Sequence, residues 1–142
     1  MHKYAYQVLT VLTLVGWLMV PATHAQSIML KADIPFNFVV GDKQLPSGEY
    51  HVKQLQPGVI QVQDKVTRSS AIVMTTGVQT EKTSDVGKLV FNRYGDNYFL
   101  SKIWAPSSIT GRQLPKSRLE REVAVNFALG QTTVAAIPDS RK

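Results

Sequence analysis

The 142-residue chain contains 16 Lys and Arg, 10 Asp and Glu, 44% hydrophobic residues and no cysteine. A chain of this length forms one domain around a single core. The lack of cysteine excludes disulfide frameworks, thiolate metal sites, cysteine nucleophiles and lipid attachment through a thiol. Composition therefore indicates one domain that folds without covalent cross-links, and it leaves the function open.

The first 25 residues have the pattern of a secretory signal peptide. Lys3 precedes a nearly unbroken apolar run from Val8 to Val20, and Pro21 ends the helix that this run would form. Thr23-His24-Ala25 places small side chains at the two positions that signal peptidase recognises, which predicts cleavage before Gln26. The run is short for a membrane span, so a retained N-terminal anchor is the weaker alternative.

We therefore expect residues 26–142 to form the mature domain, exported to the periplasm or secreted, with no membrane span after cleavage. This segment carries 15 Lys and Arg against 10 Asp and Glu, a net charge of +5. The cations are spread along the chain, which argues against a nucleic-acid partner. One histidine, His51, and one tryptophan, Trp104, remain in it.

Short apolar runs separated by Gly, Pro, Asn and Asp predict an all-β domain. We expect an antiparallel sandwich or partly closed barrel of about seven or eight strands with one C-terminal helix. The predicted strands are Ile28 to Ile34, Phe36 to Val40, Glu49 to Leu55, Val59 to Gln63, Ser70 to Thr75, Lys88 to Tyr94, Tyr98 to Trp104 and Thr132 to Ile137. The polar stretch from Gly77 to Gly87 is predicted to be an exposed loop.

The clearest unit is a hairpin around Gly95-Asp96-Asn97, with a three-residue loop whose last residue is left-handed. This register pairs Tyr94 with Tyr98 and Leu89 with Ile103. The apolar face of the hairpin then consists of Leu89, Phe91, Phe99 and Ile103.

The other face of the hairpin is mixed and includes Tyr94, Tyr98 and Trp104. Aromatic residues with polar atoms are common in binding surfaces, so these three form a candidate binding face. A second covered layer or ordinary amphipathic surface cover is the favoured explanation of such a face.

After Pro106 the strand pattern ends. Ser117 and Glu120 then form the two ends of a capping box. The Ser117 hydroxyl accepts from the Glu120 amide, and the Glu120 carboxylate reaches back to the Ser117 amide. This pattern predicts a helix over about residues 117–128, followed at the chain end by a flexible tail at 138–142. The expected buried stripe of the helix is Leu119, Val123 and Phe127. A strand is the alternative, because apolar and other residues alternate from Glu122 to Leu129.

The sequence supplies no catalytic, metal or cofactor constellation. Tyr50 and Val52 lie on one face of a predicted strand, and Glu49 and His51 lie on the other. If Tyr50 and Val52 point to the core, His51 faces solvent. Nothing there orients it as a general base. No HExxH motif and no calcium-loop spacing is present. Two carboxylates at a suitable distance would support glycoside hydrolysis, and many exposed pairs meet that condition.

Four stretches together resemble a group of small uncharacterised exported proteins of Acidobacteria-type soil bacteria. They are Ile34-Pro35-Phe36-Asn37-Phe38-Val39-Val40-Gly41-Asp42-Lys43, Leu45-Pro46-Ser47-Gly48-Glu49-Tyr50, Lys88-Leu89-Val90-Phe91-Asn92-Arg93-Tyr94-Gly95-Asp96 and Leu114-Pro115-Lys116-Ser117. The resemblance implies a bacterial envelope or secreted setting. It carries no assigned activity, and therefore no residue roles.

We expect a non-enzymatic interaction or structural domain of the bacterial envelope or extracellular space, with an unknown protein or glycan as partner and no cofactor. The alternative is a carrier that closes its sheet around a small apolar ligand, as small barrels do. A carboxylate-based hydrolase is a third, weaker hypothesis.

Overall fold

The computed structural model describes residues 29–139, so the predicted signal peptide and its cleavage site lie outside the described residues. This part of the chain consists mainly of strands with one short helix, which confirms the all-β class with a C-terminal helix. The elements are β1 Met29–Ile34, β2 Phe38–Val40, β3 Lys43–Leu45, β4 Gly48–Gln56, β5 Val59–Asp64, β6 Ser70–Met74, β7 Thr76–Gln79, β8 Gly87–Tyr94, β9 Asn97–Trp104, β10 Thr110–Gln113, α1 Arg118–Ala124 and β11 Gly130–Pro138.

The strands form one continuous sheet in the order β3-β2-β9-β8-β11-β1-β4-β5-β6. All neighbours along this path are antiparallel except β2 and β9, which run parallel. The far end of the path, β6, returns to lie beside β2, so the sheet is a nearly closed barrel. Strand β10 pairs with the second half of β9 and carries β7 on its other edge.

Side chains fill the interior of the barrel. Phe38, Tyr50 and Phe91 are fully buried and meet edge to face, with ring centroids 4.9 Å apart for Phe38 and Tyr50 and 5.5 Å apart for Phe38 and Phe91. Complete burial of such a side chain stabilises the fold by about 1.5–3 kcal/mol. The predicted core positions of Tyr50 and Val52 are confirmed.

The number of strands differs from the prediction, because β3, β7 and β10 are strands of three or four residues. Segments this short show no clear alternation, and their strand conformation depends on the neighbour with which they pair. The predicted loop from Gly77 to Gly87 accordingly begins inside β7. The final predicted strand is present as β11.

The β8–β9 hairpin has a different register at its tip from the one predicted. Tyr94 pairs with Asn97, so the loop has two residues, and Gly95 is the residue with positive φ (61°). A bulge at Ser101 then restores the predicted pairing of Leu89 with Ile103.

This bulge reverses the alternation of side chains along the first half of β9. Leu100 points into the main core, and Phe99 packs instead with Tyr94 on the outer surface of the barrel. The prediction that Phe99 shares the face of Leu89 is therefore wrong.

Helix α1 begins as predicted and ends earlier. Ser117 is the N-cap, and its hydroxyl accepts from the Glu120 amide at 3.1 Å. The predicted buried stripe is correct at Val123 and wrong at its other two positions, since Leu119 is 41% exposed and Phe127, beyond the helix, is 50% exposed. The helix docks instead through Val123 and Ala124, which pack against an outer cluster formed by Val39, Tyr94 and Phe99.

Candidate functional site

A cleft lies at the seam, which is the gap between β6 and the β2–β3 hairpin. It has a volume of about 600 Å³. Its lining combines all of β6 with the β2–β3 turn and the segment before α1, namely Val40, Gly41, Asp42, Lys43, Ser70, Ala71, Ile72, Val73, Met74, Leu114, Pro115 and Ser117. The seam is where the two ends of the sheet meet without a connecting strand.

Strand β6 exposes apolar side chains on its outer face. Ala71 and Val73 point to the core, whereas Ile72 is 60% exposed and Met74 is 76% exposed. Within residues 29–139, β6 has a strand partner only on its β5 side. The main-chain N–H and C=O groups on one edge of β6 therefore face the seam, and the exposed side chains of Ile72 and Met74 lie beside them.

Two contacts bridge the seam. The Lys43 ammonium donates a hydrogen bond to the Ser70 carbonyl oxygen at 2.6 Å, at the start of β6. Gly41, with φ of 61°, lies so close to β6 that an added Cβ would come within 3.1 Å of Val73 Cγ1. The Lys43 ammonium therefore satisfies a carbonyl oxygen that would otherwise accept a hydrogen bond from the main chain of a neighbouring strand.

The three residues of the predicted binding face do not lie on one face. Tyr94 is buried under α1, while Tyr98 packs against the main core and stacks on Phe36 at a centroid distance of 3.9 Å. Trp104, beyond the bulge at Ser101, is half-buried at the opposite end of β9 and lines a separate small cleft. The bulge is the physical reason, because it sends Tyr94 and Tyr98 to opposite faces of the sheet.

A buried polar network joins α1 to the hairpin. The Glu120 carboxylate accepts from Asn92 Nδ2 at 2.8 Å and from the Tyr94 hydroxyl at 3.2 Å. The predicted return of Glu120 to the Ser117 amide is replaced by these contacts. Burial raises the pKa of Tyr94, and the neighbouring Glu120 carboxylate raises it further. This network fixes the helix on the sheet.

The prediction that His51 faces solvent is wrong. Its Nδ1 lies 2.7 Å from Asp139 Oδ2, and its side chain is 12% exposed. Asp139 follows β11 directly, within the stretch predicted as a flexible tail, and the pairing of β11 with β1 brings it over β4. The two residues lie 88 positions apart, so no local pattern indicated their contact.

The surroundings of this pair do not complete a nucleophilic triad. The adjoining cleft of about 200 Å³ is lined, in the described part of the chain, by Lys53, Gln63, Asp64, Lys65 and Arg68 in addition to the pair. None of these side chains carries a hydroxyl or thiol, which acyl transfer through an activated nucleophile requires. An Asp–His pair in this setting holds the end of β11 against β4.

Asp64 caps the turn between β5 and β6. Its carboxylate accepts from the amides of Val66 and Thr67, both at 2.7 Å. These hydrogen bonds, that of Thr67 first, lower the pKa of Asp64. Burial, with the nearby Asp64 carboxylate, raises the pKa of Tyr50 to about 12. These hydrogen bonds stabilise the conformation of the turn that precedes β6.

Among residues 29–139, no three His, Asp or Glu side chains gather as a metal-ligand group, and no helix has the length and apolarity to cross a membrane. Comparison with known proteins finds no family model, no curated protein and no solved structure that matches the chain. Any functional conclusion therefore depends on the geometry of the chain itself.

The seam has no local pattern in the sequence that would predict it. Its residues come from three distant segments, and Ile72 and Met74 resemble the apolar residues of any strand. One signal was present: in Ser70 to Met74 four of the five residues are apolar, on both faces of a strand, without the polar outer row of a solvated sheet.

Proposed function

We propose that this protein is an exported, non-enzymatic binding domain of the bacterial envelope or extracellular space, and that it holds an extended segment of a partner protein at the seam. One observation carries the proposal: the free edge of β6 presents Ile72 and Met74 to solvent beside a cleft of about 600 Å³. The resemblance to exported soil-bacterial proteins supports the location.

Native proteins protect free sheet edges, because an exposed edge with apolar side chains templates pairing with another chain. Among residues 29–139, the contacts that approach this edge include the Lys43 ammonium, which satisfies the Ser70 carbonyl, and Gly41, which lies close to Val73. The outer side chains of β6 stay apolar and exposed. A surface of this kind is expected where a partner supplies the missing cover.

The edge favours a partner in extended conformation. Such a segment adds to a sheet through main-chain hydrogen bonds, and its alternate side chains find apolar contacts. On β6 these contacts are Ile72 and Met74, and the Lys43 ammonium would leave the Ser70 carbonyl to a partner amide. We expect β-branched and aromatic residues at alternate positions of the bound segment, since these suit a pleated, half-buried surface.

A carrier of a small apolar ligand is the second candidate. The volume of the seam falls within the 300–1,000 Å³ typical of small-molecule sites, and Val40, Leu114 and Pro115 contribute apolar lining. The barrel interior is filled by Phe38, Tyr50 and Phe91, so such a ligand would also bind at the seam.

The test is selection of short random peptides from a display library against three proteins. They are the wild type, an Ile72→Lys/Met74→Lys double variant, and a Val66→Lys control that alters an exposed apolar residue in the β5–β6 turn. Binding of Nile red to the same proteins measures uptake of a small apolar ligand.

Enrichment of alternating apolar peptides by the wild type and the control, lost in the double variant, is the expected result. Nile red binding that the double variant loses, without peptide enrichment, would replace the proposal by the carrier. A concentration-dependent dimer that the double variant abolishes would make a second copy of the chain the occupant. Equal behaviour of all three proteins would refute a site at the seam.

A further inference from the structure

A second cleft, separate from the seam, lies beside Trp104 where β9 ends. It is small, about 150 Å³, and shares no lining residue with the seam. Its described lining consists of Thr80, Lys82, Ser84, Lys88, Trp104, Ala105 and Ser108. One aromatic ring, two cations and three hydroxyls thus meet in one place, which we call the Trp104 cleft.

Trp104 is held by the strand on each side of it. Gly111 of β10 pairs with it directly, and an added Cβ there would come within 2.7 Å of Trp104 Cζ3. The ring therefore lies over the glycine, where no side chain can stand. On the opposite side Trp104 pairs with Lys88 of β8. The register alone thus places a cation next to the indole.

The loops that complete the cleft are fixed to each other by main-chain hydrogen bonds. The Thr80 amide donates to the Ile109 carbonyl at 2.9 Å, and the Ser107 amide donates to the Ser84 carbonyl at 2.7 Å. Ser107 has φ of 55°, which is uncommon for a residue other than glycine. Backbone strain of this kind is concentrated at binding and active sites. The cleft is therefore formed before a ligand arrives.

The cations of the cleft are not neutralised within the part of the chain that the structure describes. Lys82 and Lys88 are exposed, and neither forms an ion pair there, whereas Lys31 and Lys65 both pair with Glu49. Glu81 and Asp85 belong to the same loop but do not line the cleft. Positive charge thus remains directed at the space beside the ring.

We propose that the Trp104 cleft binds an acidic sugar unit of a polysaccharide, of the uronic acid class. The indole ring offers an apolar surface for the C–H face of a sugar ring, and Thr80, Ser84 and Ser108 offer hydroxyls that both donate and accept. Lys82 and Lys88 offer donors to a carboxylate. A small cleft suits a single sugar unit rather than a long segment of polysaccharide.

The test is calorimetric titration with a trisaccharide of galacturonic acid and with its methyl ester, which keeps the shape of the sugar and removes the charge. Three variants accompany the wild type: Lys88→Gln, Trp104→Leu and Arg121→Gln. The last removes an equal charge from an exposed position on α1, away from the cleft. The seam double variant serves as a control for the proposed peptide site.

We expect the acid to bind more tightly than the ester, with an affinity that falls as salt is added. Lys88→Gln should weaken binding about three- to fivefold, the effect of one exposed charge pair. Trp104→Leu should weaken it at least as much, while Arg121→Gln and the seam double variant bind as the wild type does. Equal binding of acid and ester, an equal loss in Arg121→Gln, or no binding of the acid at millimolar concentration would overturn the proposal.

Discussion

Two apolar patches on the outer surface of the barrel differ in how they are covered. At the tip of the β8–β9 hairpin, α1 covers Tyr94 and Phe99, and Glu120 satisfies the polar atoms that become buried. At the seam, Ile72 and Met74 are exposed, and Lys43 reaches the edge of β6. Within residues 29–139, the same kind of surface is thus covered in one place and exposed in the other.

Within residues 29–139, exposure at the seam is a property of that place, because an equally apolar patch elsewhere on the barrel is covered. The chain places a helix on one outer patch and leaves the other beside a free edge. Because buried polar groups must be paired, the closed patch needs its Glu120 network, whereas the open patch is where we propose that a partner binds. Variants at the two patches therefore distinguish packed surface from open surface.

Tyr94→Ala should lower the free energy of unfolding by about 3–5 kcal/mol, because it empties a buried aromatic position under α1. Met74→Ala, the matched change at the seam, should alter it by less than about 0.5 kcal/mol. Chemical denaturation of both variants measures the contrast. Similar losses in the two would mean that the seam is packed like the helix site.

Glu120→Ala should cost about 1–3 kcal/mol, because it leaves the buried Asn92 amide and Tyr94 hydroxyl without their acceptor. Glu122→Ala is the control, since Glu122 only pairs with Arg118 in solvent and its loss should cost at most about 1 kcal/mol. Thermal unfolding of the two variants compares them. A larger effect at position 122 would contradict the assigned network.

Alkaline pH should destabilise the protein through its buried tyrosines. The pKa of Tyr50 is raised to about 12, and that of Tyr94 is raised above its ordinary value. A raised pKa contributes stability that is complete below the unfolded value of about 10 and is lost as pH rises through the folded value. Denaturation between about pH 9 and 12 should show this loss, and Tyr50→Phe should reduce its slope. An unchanged slope in the variant would show that Tyr50 is not the group responsible.

The seam double variant Ile72→Lys/Met74→Lys should change the free energy of unfolding by less than about 0.5 kcal/mol for each exposed site. Because its free energy of unfolding stays close to that of the wild type, the double variant can be used in the binding experiment. Denaturation of the double variant against Val66→Lys provides the check. A loss of several kcal/mol would show that these side chains already have a structural role.

Features that depend on interactions between residues close together in the chain could be predicted from the sequence. Alternation and turn residues indicated the long strands, and the core positions of Tyr50 and Val52 followed from the period of two. The N-cap at Ser117 followed from local capping chemistry. Each of these features involves residues close together in the chain, whose preferences add within a single element.

Which outer surfaces are covered and where the clefts lie depend on contacts between distant parts of the chain, so the sequence did not predict them. A single extra residue at Ser101 reversed part of β9 and separated Tyr94 from Tyr98. Asp139 met His51 because two strands distant in sequence both pair with β1. The seam likewise depends on how far the sheet closes, which is set by strand twist and pairing summed around the barrel. These quantities belong to the whole fold, so no segment of the sequence carries them.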